Sequence, residues 1–288
     1  MKVSIITINK NNKEGLRRTM QSVYEQDFND FEYIVVDGAS TDGSVEVINE
    51  YRSLFEAGAR IAFQSESKPD KGIFNAMNKG ILKSCGEYLL FLNSGDYLVA
   101  PTVLSSFVQY GATEDYVCGN IRVCLNGKYE LRTNPKKVDF VCLNRGTLLH
   151  QASFIKRTAF DRYGMYNEMD RIRGDWEHSL RSIVVGGASY RYVDLTVSHF
   201  DITGVSSSGA LRDFFAKEKR DAYLSLMPEY VVDALEYYDE LENTYLSRLH
   251  SYYEYMTIKN GKMGFVIDVI LWIKRIKRRV FKTTANSN

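Results

Sequence analysis

The chain has 288 residues, 44% hydrophobic and 25% charged, which is typical of a globular protein with one large α/β domain or one domain and an appendage. Lysine and arginine number 37 against 36 aspartate and glutamate residues, so the overall charge excludes a strongly basic nucleic-acid-binding protein, and no nucleic-acid partner is expected. No apolar run reaches the roughly 18 residues that a membrane-spanning helix needs.

The first third of the chain alternates between apolar runs that predict strands and segments with the apolar spacing of helices. Strands are predicted over Val3 to Ile8, Phe31 to Val36, Ile61 to Gln64 and Tyr88 to Leu92, and helices over Gly15 to Gln26, from Val45 onward and over Lys71 to Lys83. Tyr88 to Leu92 is apolar on both faces, as expected at the centre of a parallel sheet. The alternation predicts an α/β fold with a doubly wound, Rossmann-like and mostly parallel sheet flanked by helices.

The rest of the chain is less regular and ends in helices. Further elements are predicted as strands or a hairpin over Tyr116 to Arg132 turning at Asn126-Gly127, short helices over Thr158 to Tyr163 and Asp175 to Val185, a strand over Ser189 to Phe200, and helices over about Leu211 to Leu226 and Pro228 to Tyr255. These patterns predict an α/β domain over residues 1–208 and a C-terminal helical extension over residues 209–288.

Three polar loops follow predicted strands directly, at Thr7 to Asn12, Asp37 to Ser44 and Asn93 to Asp96. Doubly wound sheets bind ligands at the carboxyl ends of their strands, so we expect these loops to gather at one edge. By composition, Asn93 to Asp96 is an ordinary turn. Its position also makes Asp96 a candidate ligand for Mg²⁺ or Mn²⁺, which take oxygen ligands and share them with substrate phosphates.

Several other polar positions allow both a structural and a functional interpretation. Asp37 and Asp42 could bind a base or a ribose, or cap the following helix. Asp70, Lys71 and Gly72 precede a helix and could contact a diphosphate or form a plain turn.

The later candidates are two histidines and one carboxylate. His150 and His199 could be structural or could complete a metal site. Asp175 begins a predicted helix after Arg171 and Arg173. It could be held there as a general base, or could stabilise the helix N-terminus as acidic residues commonly do.

Taken in order, these motifs resemble the inverting GT-A glycosyltransferases of family 2, and look most like the bacterial polysaccharide and lipid-oligosaccharide branch. The motifs are VSIIT with Asn11, DGASTDGS, PDKGIFNAMNKG, GEYLLFLNSGD, HQASF and GDWEHSL, and together they span roughly residues 1–208. The resemblance implies a GT-A fold and transfer of a sugar from a nucleotide-diphosphate donor, with UDP the commoner carrier. The acceptor it implies is a hydroxyl of a saccharide or lipid-linked saccharide, with inversion at the anomeric carbon.

The resemblance also implies roles for individual residues. Asp175 matches the catalytic base, which takes the acceptor proton. Asp96, with His199 as a later ligand, would hold Mg²⁺ or Mn²⁺ against the diphosphate. The implied donor-binding residues are Thr7, Asn11, Asp37, Asp42, Asp70, Lys71, Gly72 and Asn93, and the implied acceptor contacts are Trp176, His150 and Gln151.

Two positions depart from the family pattern. Many members have two adjacent aspartates after the second strand, and here the second of them is Gly38. The commonest metal motif is Asp-Ser-Asp-Asp, and here it reads Asn93-Ser94-Gly95-Asp96, so that Gly95 stands at the usual metal-ligand position. Either Asp96 takes over as ligand, or a metal is held more weakly, or none is needed.

The cysteine pattern and the C-terminal segment bear on localisation. The four cysteines form no CxxC pair and no secretory signal precedes the first strand, so a reduced cytoplasmic setting is expected. Gly264 to Lys282 is apolar in its first half and carries six lysines and arginines in its second, which favours an interfacial helix on an anionic leaflet. The alternative is a C-terminal helix packed on its own domain. The expected location is peripheral, at the inner face of the cell membrane.

Two other functions are consistent with parts of the sequence. The altered metal motif could belong to a non-catalytic nucleotide-sugar-binding protein. A sugar nucleotidyltransferase would use a similar sheet but normally has a glycine-rich N-terminal loop, and Thr7 to Lys13 contains no glycine.

Overall fold

The computed structural model of the protein describes residues 2–58, 61–125, 127–201 and 212–260. Internal contacts divide the chain into a first unit, Met1–Leu226, and a second unit, Met227–Asn288. The elements of the first unit are, in chain order, β1 (Val3–Asn9), α1 (Lys13–Tyr24), β2 (Phe31–Asp37), α2 (Ser44–Gly58), β3 (Ala62–Ser67), α3 (Ile73–Lys83), β4 (Tyr88–Phe91), β5 (Tyr97–Leu98), α4 (Val103–Gln109), β6 (Tyr116–Leu125), β7 (Lys128–Thr133), α5 (Phe140–Arg145), β8 (Ser153–Lys156), α6 (Arg157–Tyr163), α7 (Gly174–Ser179), β9 (Tyr190–Phe200) and α8 (Arg212–Leu226). A 3₁₀ turn at His150–Ala152 precedes β8, and a π-helical segment at Leu180–Val185 continues α7.

The N-terminal half of the sheet is parallel, in the order β3-β2-β1-β4. All residues of β1, β2 and β4 are buried, because the helices between them cover both faces of the sheet. The edge strand β3 is half exposed, which explains its weak sequence signal. The predicted doubly wound arrangement is therefore confirmed.

The C-terminal half of the sheet is mixed. β8 pairs antiparallel with β4 and with β6, β9 runs parallel to β6, and β5 and β7 pair antiparallel with β9 and β6. The predicted hairpin is present as β6 and β7. Four elements were not predicted, namely β5, α4, α5 and β8, because each has only two to seven residues and is too short to display a clear period.

The carboxyl ends of β1, β2 and β4 meet at one edge, as expected. Asn9 lies opposite Asp37 in the β1–β2 register, and Gly38 N donates to Asn9 O at 2.8 Å. Ser94 N donates to Ile8 O at 3.1 Å, which ties the loop after β4 to the end of β1. The three polar loops therefore share this edge.

The two C-terminal helices were predicted and are present as α8 and, in the second unit, α9 (Glu229–Asn260). The sequence pattern put α8 in the extension that begins at residue 209, whereas its contacts place it in the first unit. No helix of the part of the chain that the structure describes is long and apolar enough to cross a membrane. The basic segment Gly264 to Lys282 lies outside the described residues, so its contact with a membrane surface stays a prediction.

Candidate active site

A cleft of about 1080 Å³ opens at the carboxyl edge of the sheet. It is lined by the loops after β1 and β4, the start of α3, the segment before β8, and the loop that leads into α7. Ten residues singled out in the sequence line it, namely Asn11, Asp70, Lys71, Gly72, Asn93, Asp96, His150, Gln151, Asp175 and Trp176. The cleft is large enough for a nucleotide sugar and part of an acceptor.

Asp37 supports one wall of the cleft without lining it. Its side chain is fully buried and accepts hydrogen bonds from Asn9 Nδ2, from Ser40 N and Oγ, and from Ser67 Oγ. Burial alone would raise the pKa of this carboxyl, but the hydrogen bonds outweigh it and hold the pKa below its usual range. Asp37 does not line the cleft, so its hydrogen bonds shape the loop after β2.

Asp42 and Thr7 also act within the protein. Asp42 accepts from the backbone N–H of Lys13 at 2.8 Å and from Ser44 at the start of α2, so it joins the N-termini of two helices. Thr7 is buried and donates to Leu92 O at 2.7 Å, which links β1 to the end of β4. Neither residue lines the cleft.

A carboxylate from another loop occupies the space beside Gly38. A Cβ atom at Gly38 would lie 2.5 Å from Asp70 Oδ2, so the missing second aspartate leaves room for Asp70. Asp70 Oδ1 accepts from Gly72 N at 3.1 Å, and Gly72 adopts φ +135°, which disfavours any other residue. This loop presents Lys71, an exposed cation, at the cleft wall.

The turn after β4 is held in place by α1. Thr19 Oγ1 donates to Asp96 O at 2.7 Å and accepts from Gly95 N at 3.0 Å. Asn12 Nδ2 donates to Ser94 O at 2.9 Å. The turn is therefore a fixed part of the cleft floor, and the direction of the Asp96 side chain is determined by its packing.

The space beside Gly95 is filled by the carboxylate of Asp201. Gly95 adopts φ +109°, and a Cβ atom built there would lie 2.9 Å from Asp201 Oδ2. Asp201 N donates to Asp96 Oδ1 at 2.9 Å, while Arg18 Nη2 donates to Asp201 Oδ2 at 3.1 Å. Two carboxylates thus meet where the family pattern has adjacent aspartates; we call Asp96 and Asp201 the acidic corner.

Electrostatics at the acidic corner favour a cation. Burial raises the pKa of Asp96 to about 7, and the charge of the Asp201 carboxylate acts in the same direction. The hydrogen bonds from Asp201 N and Gln151 and the charge of His150 oppose this rise. Within the described residues no three acidic, histidine or cysteine side chains converge as a metal site. An ion such as Mg²⁺ needs only one or two carboxylates when substrate phosphates and waters complete its shell, so the corner fits it.

His199 does not fit its predicted role as a metal ligand. Its ring stacks on Tyr97 at 4.6 Å between centroids and meets the edge of Tyr129 at 5.2 Å, and it does not line the cleft. Burial and the nearby Arg122 lower its pKa. His199 lies within β9, and the carboxylate two residues later, Asp201, reaches the corner instead.

Asp175 and His150 form a hydrogen-bonded pair in the cleft. His150 Nδ1 lies 3.1 Å from Asp175 Oδ2, and because an ionised carboxylate only accepts, Nδ1 carries the proton. Burial alone would lower the pKa of His150, but the hydrogen bond and charge of Asp175, with the charge of Asp96, raise it. On its other side, His150 Nε2 lies 3.3 Å from Asn93 Nδ2.

The Asn93 amide suits both protonation states of His150. In the present orientation Nδ2 donates to a neutral ring, and Asn93 Oδ1 is buried without a partner among the described residues. Rotating the amide by 180° would bring Oδ1 to a protonated Nε2–H and satisfy it. Asn93 therefore couples the turn after β4 to the Asp175–His150 pair.

Trp176 does not fit its predicted role as a stacking platform for a sugar. The indole is 1% exposed and its Nε1 donates to Leu143 O at 2.7 Å. Arg173 lies over the ring at 5.1 Å and Tyr223 meets it edge-on at 5.6 Å. No face is left for a ligand, so Trp176 supports the residues around it.

The sequence of this chain matches the family described as "Glycosyl transferase family 2" over residues 4–174. The chain belongs to this family.

Bacterial relatives agree with this assignment. A PGL/p-HBAD biosynthesis glycosyltransferase of Mycobacterium bovis is 28% identical over 222 residues, covering 74% of this chain and 82% of its own. An uncharacterized glycosyltransferase of Mycobacterium tuberculosis is 32% identical over 217 residues, covering 71% and 77%. The protein is therefore a glycosyltransferase.

Two solved structures share the fold. S. aureus TarS in complex with UDP-GlcNAc superposes with a TM-score of 0.61 at 19% identity, over 81% of this chain and 70% of that one. The mannosyltransferase PcManGT of Pyrobaculum calidifontis, in complex with GDP-Man and Mn²⁺, gives a TM-score of 0.61 at 17% identity, over 98% and 82%. The predicted GT-A fold is confirmed.

Sequence reasoning missed two residues of this glycosyltransferase. Asp201 directly follows β9, so the rule that selected the loops after β1, β2 and β4 would also have found it. Glu218 on α8 is buried and its carboxylate accepts from the backbone N–H groups of Arg171, Ile172 and Arg173 at 2.8 to 3.2 Å. It holds the loop before Asp175, and no sequence pattern marked it, because its partners lie about 45 residues earlier.

Proposed function

We propose that the protein transfers a sugar from a nucleotide-diphosphate sugar to a hydroxyl of a saccharide or lipid-linked saccharide, with inversion at the anomeric carbon. UDP is the expected carrier. The observation that carries the proposal is the Asp175 carboxylate, hydrogen-bonded to His150 in the same cleft as the acidic corner. Structures of the same fold bind UDP-GlcNAc and GDP-Man, which supports this class of donor.

The donor would lie along the carboxyl edge of the sheet. Asn11 is exposed and lines the cleft, and its Oδ1 accepts from Thr41 N at 2.9 Å, which ties the loop after β1 to the loop after β2. Lys71 supplies a cation for the diphosphate, and Gly72 allows close approach to the backbone. Asp37 and Asp42 support these loops from outside the cleft.

Asp96 and Asp201 would hold Mg²⁺ or Mn²⁺, with Gln151 positioning Asp96 through its side-chain hydrogen bond. When bound, such an ion supplies positive charge against the leaving diphosphate. That PcManGT was solved with Mn²⁺ supports this class of ion.

Asp175 would act as the general base. The acceptor hydroxyl oxygen attacks the anomeric carbon from the face opposite the nucleotide, and the new C–O bond forms as the bond to the diphosphate breaks. The hydroxyl proton passes to Asp175 Oδ2 or Oδ1, and the electron pair leaves with the nucleoside diphosphate. His150 Nδ1 and the backbone N–H of Trp176, which donates to Oδ1 at 2.8 Å, fix the carboxylate in place.

The pH dependence of transfer should report on His150. Because the folded-state pKa of His150 is raised above its usual 6.5, its ion pair with Asp175 is complete below that pH and is lost as the pH rises through the raised value. The charged imidazolium competes with the acceptor hydroxyl for the Asp175 carboxylate, so kcat/KM should rise as His150 loses its proton. In His150→Gln, which cannot become charged, the acid limb of kcat/KM measured from pH 5 to 9 should move to lower pH. A purely structural role would lower kcat/KM at every pH without moving the limb.

The proposal is tested by the thermal unfolding of the full chain with a panel of nucleoside diphosphates and nucleotide sugars. A ligand that binds the folded state raises Tm. At a concentration one hundred times its Kd, it adds about 2.7 kcal/mol to the free energy of unfolding. We expect one nucleotide base to raise Tm more than the others, and its sugar diphosphate to be consumed in the presence of acceptor saccharides. If no nucleoside diphosphate raised Tm, with or without Mn²⁺, the proposal would be wrong.

A further inference from the structure

Among the residues that the structure describes, two arginines of the cleft have no anionic partner. Arg171 and Arg173 both line it, and within the described residues neither guanidinium makes an ion pair or a hydrogen bond. Arg173 Nε is buried without any partner in this part of the chain. A half-buried cation that lacks hydrogen bonds costs free energy, which a bound anion would recover.

Aromatic rings hold both guanidinium groups in fixed positions. Arg173 lies over Trp176 at 5.1 Å and over Phe215 at 4.8 Å, and Arg171 lies over Phe214 at 4.4 Å. Such cation–π contacts orient a guanidinium and leave its N–H edges available. The side chains are therefore arranged in advance of any ligand.

The backbone of this loop is fixed as well. Glu218 accepts from three consecutive backbone N–H groups, at Arg171, Ile172 and Arg173. The Glu218 carboxylate is thus bonded to the main chain, and Asp175 is the other carboxylate whose charge raises the pKa of Arg173. Burial lowers the pKa of Arg173 even though the charges of Asp175 and Glu218 raise it, so these two carboxylates do not compensate for the buried charge.

The position of the two arginines favours the acceptor over the donor. They contact α8, whereas the acidic corner and Lys71, which suit the donor diphosphate, lie on the loops at the carboxyl edge of the sheet. Asp175 follows Arg173 by two residues and is hydrogen-bonded to His150. His150 in turn contacts Asn93, which lies beside the acidic corner. A molecule that offers its hydroxyl to Asp175 from the α8 side would meet both guanidinium groups.

We propose that Arg171 and Arg173 form a binding subsite for a phosphate group carried by the acceptor. Arginine suits this ligand because its planar donors match phosphate oxygens in pairs. The phosphate could belong to a lipid-linked saccharide or to a phosphorylated saccharide, and the chemistry of recognition is the same. This inference rests on the proposed function, in that it treats the ligand as the acceptor of the same transfer reaction.

The test measures the binding of two phosphate probes and their uncharged counterparts by calorimetry on the full chain. The probes are farnesyl phosphate against farnesol, and glucose 6-phosphate against glucose, each with and without a saturating nucleoside diphosphate. Because the sequence has two tryptophans, a Trp272→Phe background also makes the fluorescence of Trp176, which Arg173 covers, a direct signal. We expect at least one phosphate probe to bind more tightly than its uncharged counterpart; which probe it is identifies the source of the phosphate.

Arg173→Met should weaken binding of that probe roughly tenfold to a hundredfold, the loss expected for charge-assisted hydrogen bonds. Arg171→Met should have a smaller effect, because Arg171 is more exposed. Arg52→Met is the matched control, since Arg52 also lies over a ring, that of Phe63 at 5.4 Å, but does not line the cleft. Arg173→Lys, which keeps the charge, should retain part of the binding and shows whether the site still folds.

Two results would overturn the subsite. One is equal binding of the phosphate probes by the wild type and by a folded Arg173→Met. The other is displacement of the probe by a nucleoside diphosphate together with weaker nucleoside diphosphate binding in Arg173→Met, which would assign the arginines to the donor. If the proposed function is wrong, no nucleoside diphosphate will bind to the protein. The binding of the phosphate probes can still be measured in that case, so the two failures are distinguishable.

Discussion

Asp175→Asn is expected to lower kcat/KM for sugar transfer by about 10²- to 10⁴-fold, the range typical of general-base catalysis. The amide cannot take the acceptor proton. The fold should tolerate the change, because Oδ1 still accepts from Trp176 N, and the amide Nδ2 can donate to His150 Nδ1 once the ring proton moves to Nε2. The Asn93 amide can then rotate to accept that proton.

The measurement compares initial rates of transfer with binding of the nucleotide sugar to the same variant. Donor binding should be unchanged, because Asp175 acts on the acceptor. Asp161→Asn is the matched control, since Asp161 is a carboxylate on α6 with 62% of its side chain exposed. Full transfer activity in Asp175→Asn would remove the catalytic assignment, and loss of donor binding would show that Asp175 holds the donor.

Asp96→Asn is expected to abolish the part of nucleoside diphosphate binding that depends on Mn²⁺. The Asp96 carboxylate is the buried one of the two that line the cleft at the acidic corner, and an amide is a much weaker ligand for a hard cation. Asp201→Asn should weaken the same binding roughly tenfold to a hundredfold, the range for residues that complete or support a metal site. The Asp201 carboxylate lies beside Gly95, and we propose that it stands in for the missing aspartate.

The measurement is the rise in Tm caused by a nucleoside diphosphate, with Mn²⁺ and with a chelator, so that it requires no turnover. Asp194→Asn is the control, because Asp194 lies on β9, the strand that ends directly before Asp201, but does not line the cleft. Wild-type binding that is equal with Mn²⁺ and with chelator would mean that the acidic corner holds no ion. An unchanged Mn²⁺ response in Asp201→Asn would leave Asp96 as the sole carboxylate ligand.

The predictions that succeeded depend on local patterns. The buried strands β1, β2 and β4 have continuous apolar sequences, and each polar loop that follows them lies at the same sheet edge because parallel strands share their direction. The position of Asp175 at the start of a helix was also predicted from a local pattern, because the apolar spacing of a helix begins there. The order of the six motifs then indicated the family, which no single motif determines.

The predictions of ligand contacts that failed depend on the direction in which each side chain points, which the sequence does not show. Trp176 and His199 have residue types suited to sugar and metal binding, but each packs against neighbours that are distant in sequence. Thr7 and Asp37 lie near the carboxyl ends of β1 and β2, yet their oxygens are occupied by hydrogen bonds inside the protein. Burial and pairing of this kind depend on the whole packed domain, so spacing along the chain does not reveal them.

The sequence by itself determined the α/β fold, the sheet edge at which the cleft opens, and the presence of Asp96 and Asp175 in that cleft, because these follow from the periods of strands and helices and from motif order. Only the tertiary structure decided which groups surround those carboxylates. It brings Asp201 beside Gly95, Asp70 beside Gly38, and His150 to Asp175, across separations of between 25 and 106 residues. Contacts of that range arise from the packing of the sheet and its helices, and two glycines that looked like losses from a motif provide the space for carboxylates from elsewhere.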